Sequence, residues 1–236
     1  MPEKFFKIRN YVYPKDKDCV SIEFYGDIVA DSFSKSQNED TCPIEVKNIL
    51  AEANGKELHI YMNSCGGDIL AGYAIGNALK NYTGKTVCHV DGLAASIAGY
   101  IAMCSDEIYM PENSYLMLHK PLSTIYGHAD ALIRRAELLN QMQQGIISAF
   151  LAKARDGVGE EQINEFINAD YGNGTWFTGL EASKYFKINL TEPIKAVAYI
   201  GNNIESFKNT PQNLIKNPSK NLYICNMELL KLKGVK

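Results

Sequence analysis

The sequence predicts an α/β fold, in which short apolar strands alternate with glycine turns and helices around a mostly parallel sheet. Three observations carry this. Leu58-His59-Ile60-Tyr61-Met62 and Thr86 to Val90 are short, apolar and rich in strand-forming residues. Each is followed by glycine, Gly66-Gly67 in one case and Gly92 in the other, and then by apolar residues at helical spacing. Finally, the 236 residues, 46% hydrophobic and 22% charged, suffice for one sizeable core with an extension.

The elements follow in order. Cys19 to Tyr25 alternates and reads as a strand, and the polar stretch Asp31 to Thr41 as a loop. Pro43 suits the start of a helix carrying Ile44, Val46, Ile49 and Leu50, and Asn54-Gly55 ends it. After the strand at Leu58, a helix is expected from about Asp68 to Tyr82, stopped by Gly84. The strand Thr86 to Val90, a turn at Gly92 and a small-residue helix from about Ser96 come next, then short strands near Glu107–Tyr109 and Tyr115–Leu118. Right-handed crossovers should join the parallel strands. From Ala129 to Ala154 apolar residues recur at three- and four-residue steps. A helix that long should project from the domain or pack on a partner. Shorter helices are expected at Glu160 to Ile167 and Leu180 to Phe186. The catalytic-domain pattern ends at about Asn189, and residues 190–236, with Pro193, Pro211 and Pro218, read as a partly irregular tail.

Charge and composition exclude several functions. A net charge of −3, from 24 Lys+Arg against 27 Asp+Glu, argues against nucleic-acid binding. The longest apolar stretch, Gly92 to Cys104, falls short of the ~20 residues that span a bilayer. Lys4, Lys7 and Arg9 precede no apolar run, so no signal peptide is expected and the cytoplasm is the expected compartment. Cys19, Cys42, Cys65, Cys88, Cys104 and Cys225 are scattered without a CxxC pair and read as buried small hydrophobes. His59, His89 and His128 show no metal-ligand spacing, and no metal or cofactor is expected.

Three segments carry candidate chemistry. Asn63-Ser64-Cys65-Gly66-Gly67-Asp68 joins a strand to a helix. A double glycine there can aim backbone amides outward at a helix start, which suits an oxyanion; a plain tight turn is the competing reading. Asp68 reads as a carboxylate at the helix start. Asp91-Gly92-Leu93-Ala94-Ala95-Ser96-Ile97-Ala98-Gly99-Tyr100 places a single hydroxyl, Ser96, among small apolar residues. It could be an N-cap or a nucleophile on a tight strand-to-helix turn, although Ala94 and Ala98 replace the glycines of GxSxG. In Leu116-Met117-Leu118-His119-Lys120-Pro121, His119 ends an apolar strand; paired with Ser96 it is a candidate general base.

The order NSxGGD, DGLAAS, MLHKP and then TWFT with Glu181-Ala182 resembles the Clp protease proteolytic subunit (ClpP) family, above all the ClpP-related head maturation (prohead) proteases of phages and prophages. The resemblance covers roughly Cys19 to Asn189. It implies a ClpP/crotonase-type superhelix of repeated ββα units, with the long helix as a projecting handle. It also implies a serine endopeptidase in which Ser96 is the nucleophile and His119 the base. Gly67 and Ile97 would supply the oxyanion amides, and Gly66, Gly67 and Leu122 would meet substrate. Protein substrates of the scaffold or capsid type and homo-oligomeric rings, heptamers or double rings, are implied too, with an AAA+ ATPase partner not favoured.

The third triad position departs from the family. Just before Thr175-Trp176-Phe177-Thr178, where the family carries Asp or Glu, stands Gly174, and Tyr171 to Gly174 looks like an insertion. Asp170 is the candidate for orienting His119, Asn173 the runner-up, and a Ser-His dyad a third arrangement. Cys65 stands where the Clp subunits carry proline; a packed cysteine is favoured over a nucleophile. Trp176 reads as packing near that loop, and Arg134-Arg135 as a solvated helix face or oligomer contact. The alternatives are a housekeeping Clp proteolytic subunit serving an AAA+ unfoldase, a crotonase acting on acyl-CoA, and a non-catalytic capsid component.

Overall fold

Residues 19–193, 204 and 207–215 are described in the computed structural model of the chain. Strand β1 (Val20–Phe24) buries Ile22 and Phe24 and exposes Glu23 between them. Helix α1 (Pro43–Ala53) starts on Pro43, whose fixed φ suits the first helical residue and whose missing N–H is not needed there. Glu45 accepts from the Cys42 N–H at 3.2 Å, and Asn54 closes the helix in the left-handed region. Strand β2 (Leu58–Ser64) leads through Gly66-Gly67 into α2 (Ile69–Lys80). Asp68 caps α2, accepting from the Ala71 N–H at 2.8 Å, as its place before the helix implied. Then come β3 (Thr86–Ala95), α3 (Ile97–Met103), β4 (Glu107–Pro111), β5 (Tyr115–Leu118), α4 (Ala129–Ala152), α5 (Glu160–Gly172), β6 (Thr175–Thr178), α6 (Gly179–Tyr185), β7 (Asn189–Thr191) and the short α7 (Gln212–Ile215).

The sheet runs β1-β2-β3-β4-β7, all parallel. The central strand β3 changes partner along its length. Val87 to His89 pair with β4, whereas Leu93 to Ala95 pair with β5. β4 and β5 therefore lie one beyond the other along β3, within one seven-stranded sheet. β6 adds antiparallel to β5, with Leu118 opposite Thr175. This brings the loop before β6 to the end of β5, where His119 lies.

Several expectations need correction. β3 does not end in a turn at Gly92 but continues to Ala95. Gly92 instead lets β2 approach closely, since a Cβ there would meet Asn63 Oδ1 at 2.7 Å. The pairing slips between Met62 and Ser64 at this level. α5 continues past Ile167, but Ala169, Asp170 and Tyr171 leave helical geometry. Thr175 to Thr178 is a strand. Thr178 then caps α6, Glu181 closing the box by accepting from the Thr178 N–H at 2.8 Å.

Two apolar clusters form. The larger contains Ile60, Met62, Ile75, Ala94, Ile97, Ile101, Leu116 and Phe150. α2 crosses α3 through glycine, for a Cβ on Gly72 would lie 2.0 Å from Ile97 Cγ1. The inner half of α4 joins this core through Ile146, Ile147 and Phe150, while its outer half leaves Leu132, Ile133 and Leu138 exposed. The smaller cluster lies on the other face of β3 and β5, because side chains alternate along a strand. There Cys65, Leu93, Ala95 and Met117 pack with Ile204, and Tyr115, Trp176, Phe207 and Leu214 lie against them. The boundary expected at Asn189 thus falls at the start of β7, and part of the expected tail packs on the domain. Residues 1–18, on which the signal-peptide expectation falls, lie outside the described residues, as do Cys225 and most of 190–236. The five described cysteines are buried.

Candidate active site

Ser96 sits between β3 and α3 with φ 56° and ψ −127°, a conformation rare for any residue but glycine. The tertiary frame enforces it. The Ser96 N–H donates to Met117 O at 3.0 Å, tying the turn to β5, and the Ser96 carbonyl accepts from the Gly99 N–H at 3.1 Å. The side chain makes no cap bond to α3. It is directed instead at His119, whose Nε2 lies 2.7 Å from Ser96 Oγ. β5 delivers this histidine, because the β3–β5 register sets Ala95 beside Met117.

His119 is held against a largely apolar wall. Burial alone pushes its pKa down to about 4 from the ordinary imidazole value, with no carboxylate contributing. At neutral pH the imidazole is therefore uncharged and can accept a proton. Its ring meets the edge of Phe207, with centroids 5.4 Å apart and an interplanar angle of 81°.

The Gly66-Gly67 turn completes the cradle. Ile28 donates to Gly66 O at 2.8 Å and accepts from the Asp68 N–H at 2.7 Å. These two bonds bracket Gly67 and leave its own N–H without an acceptor among the described residues; the same holds for the Ile97 N–H. Gly67 has φ +145°, and a Cβ would come within 2.1 Å of Ile28 O, so glycine is required here. Gly67, Ile97, Ser96 and His119 all border one cleft of about 160 Å³. Cys65, Ile69, Leu118, Pro121, Leu122, Ile146, Phe150 and Phe207 complete its lining.

Most of the expected site residues are brought together here. Leu122 lines the cleft and is 71% exposed. Gly66 does not line it: its N–H is donated to Ser64 Oγ at 3.1 Å, and a Cβ would lie 2.9 Å from Ser96 Cβ. Its role is to let the turn approach Ser96. Cys65 lines the cleft while staying 3% exposed in the smaller apolar cluster.

Asp170 is not brought to His119. It is exposed, in the left-handed region with φ 47°, and Tyr171 beside it has φ 57°. Its carboxylate accepts from Asn173 Nδ2 at 3.0 Å and from Asn209 Nδ2. Asn173 is turned toward Asp170 as well, donating also to its backbone carbonyl. The segment still runs close to the site. The Lys120 N–H donates to Gly172 O at 3.2 Å, and a Cβ on Gly174 would lie 2.7 Å from His119 Cβ. Sequence reasoning missed Phe207, because a lone aromatic in an aperiodic stretch carries no pattern. Ile146 and Phe150 belong to the apolar repeat of the long helix, and their place in the cleft follows only from the fold.

His59 and His89 lie in the sheet, away from this cleft, with His59 Nδ1 2.9 Å from His89 Nε2. Trp176 packs edge-on against Tyr115 and Phe207. No group of three His, Cys, Asp or Glu side chains suited to a metal exists among the described residues, and no described helix is long and apolar enough to cross a membrane.

A serine hydroxyl on a strained strand-to-helix turn, a neutral imidazole against it and two unpaired amides alongside define a class, the hydrolases that attack through serine. Comparison with known proteins narrows the class. Residues 33–189 match the Clp protease family. The chain is 29% identical over 156 residues to the ATP-dependent Clp protease proteolytic subunit 1 of Leifsonia xyli, covering 64% of this chain and 76% of that one. It is 26% identical over 190 residues to the corresponding subunit of Chara vulgaris, covering 75% and 82%. A solved point mutant of ClpP1 from Listeria monocytogenes shares the fold, with a TM-score of 0.59 and 20% identity over 73% of this chain and 91% of that one. The chain belongs to the Clp protease family and is a serine-type endopeptidase.

Proposed function

We propose that the chain is the proteolytic subunit of an energy-dependent protease, with Ser96 as nucleophile and His119 as general base. The 2.7 Å contact between Ser96 Oγ and His119 Nε2 carries this reading. In the first step His119 Nε2 takes the Ser96 proton as Oγ bonds to the scissile carbonyl carbon. The carbonyl oxygen becomes an oxyanion and accepts from the Gly67 and Ile97 amides. The tetrahedral intermediate collapses, the C–N bond breaks, and His119 returns the proton to the leaving amine. Water then repeats the sequence on the acyl-enzyme, with His119 again as base, and frees Ser96. The cleft walls, Ile69, Leu118, Ile146 and Phe150, suit an apolar side chain of the substrate.

The relatives are named as proteolytic subunits of ATP-dependent Clp proteases. Those names favour an AAA+ unfoldase as partner, unfolded proteins as substrates, ring assembly and a cytoplasmic setting. They favour this over head maturation with scaffold or capsid substrates, which the motif resemblance had put first. Replacing Ser96 by Ala should lower peptide cleavage at least ~10³-fold and leave the circular dichroism spectrum unchanged. Cleavage retained at wild-type rate would overturn the nucleophile assignment. Stimulation of protein cleavage by an added AAA+ unfoldase distinguishes the two physiological settings.

A further inference from the structure

Four observations meet at the mouth of the cleft. First, Ile204 is buried, 8% exposed, in the cluster formed by Cys65, Leu93, Ala95 and Met117, and Leu214 lies partly buried against the same cluster. Ile204 and Leu214 are thus two apolar anchors on β3 and β5, the strands that lead to Ser96 and His119. Second, between these anchors Phe207 borders the cleft and sets its ring edge-on to both His119 and Trp176. Third, Asn209 donates its side-chain N–H to the Asp170 carboxylate, across 39 residues of sequence. Fourth, Asp170 and Tyr171 both hold left-handed backbone, which suits aspartate but is uncommon for tyrosine and needs support from surrounding contacts. Asn173 and Gly174 hold this backbone through bonds to the Asp170 and Ala169 carbonyls, while Asn209 holds the Asp170 carboxylate.

We propose that the segment around Phe207 and Asn209 is an autoinhibitory strap. It narrows the substrate cleft with Phe207 and uses Asn209 to hold the Asp170 carboxylate in its outward position, away from His119. Release of the strap opens the cleft and frees the Asp170 segment, which already touches Lys120 and His119 through Gly172 and Gly174, to turn its carboxylate toward the imidazole. Phe207 and Asn209 are positioning residues in this scheme. The inference rests on the serine-nucleophile reading above, and its test separates the two.

The experiment follows fluorophosphonate labelling of Ser96 and hydrolysis of a short fluorogenic peptide in the full chain. The variants are Phe207→Ala, Asn209→Ala and Asn209→Asp, with Lys208→Ala as a neighbouring exposed control. Asn209→Asp keeps the side-chain shape but replaces the donor by a second carboxylate facing Asp170. The strap requires labelling and kcat/KM to rise several-fold in all three variants and to stay at the wild-type level in Lys208→Ala. Asn209→Asp and Asn209→Ala alter an exposed side chain, so they keep the test decisive if Phe207→Ala disturbs folding. Equal or lower rates in the Asn209 variants would overturn the strap and leave the nucleophile assignment standing. No labelling at Ser96 in any variant would overturn both.

Discussion

At the scale of single residues, the site depends on one backbone position and one ring. Gly67 has no room for a side chain, since its Cβ would strike the Ile28 carbonyl at 2.1 Å. Gly67→Ala must therefore move the turn and misplace its amide. Loss of one oxyanion donor lowers rate by ~10²–10³, so kcat should fall by at least that factor, measured on a peptide substrate. His119 is neutral because it is buried, with its pKa at about 4. The sign follows from that: the base accepts protons only while unprotonated, so the acid limb of kcat/KM should lie below the ordinary imidazole value near 6.5. For folding, a depressed histidine pKa means the unfolded chain binds the proton more tightly. Its contribution is present in full above about pH 6.5 and is eroded as pH falls toward about 4. A pH–rate profile and a pH series of thermal melts measure the two effects separately. Ser96, His119, Gly67 and Ile97 were legible because their motifs stand in fixed order in the chain. Asp170 was legible as a carboxylate near β6, but its direction was not. Two left-handed residues and a bond from Asn209 set it, and neither leaves a mark in local sequence.

At the scale of elements, glycines at a helix crossing tie packing to chemistry. Gly72 of α2 lies against Ile97, which lines the cleft, with only 2.0 Å between a virtual Cβ and Ile97 Cγ1. Gly72→Ala should push α2 from α3 and destabilise the fold by roughly 1–3 kcal/mol through overpacking. At ~2–4 °C per kcal/mol for a chain of this size, the melting temperature should drop by several degrees. Differential scanning calorimetry checks this. The strands and helices up to β5 were readable from alternation and capping residues, because each is locally consistent with the fold. β3 was read too short, for Gly92 signals a turn by composition but serves close contact with Asn63. β6 is marked in sequence by its motif rather than by alternation, since four residues are too few to show a period.

At the scale of the molecule, the outer half of α4 presents Leu132, Ile133 and Leu138 to solvent. Large apolar side chains left exposed on a long helix suit contact with another copy. Replacing Leu132 and Ile133 together by Glu should lower the mass found by analytical ultracentrifugation without altering the helical signal. The length of that helix was legible from its three- and four-residue steps, but the docking of Ile204, Phe207 and Leu214 was not. Their partners lie far away in sequence, on β3 and β5, and only the folded sheet brings them together. The most direct test of the catalytic centre is intact-protein mass spectrometry after fluorophosphonate treatment, with peptide mapping, on the wild type and on His119→Ala. The expected result is one adduct, on Ser96, formed readily in the wild type and at least ~10³-fold more slowly without His119. An adduct elsewhere, or equal labelling of both proteins, would contradict the Ser96–His119 mechanism.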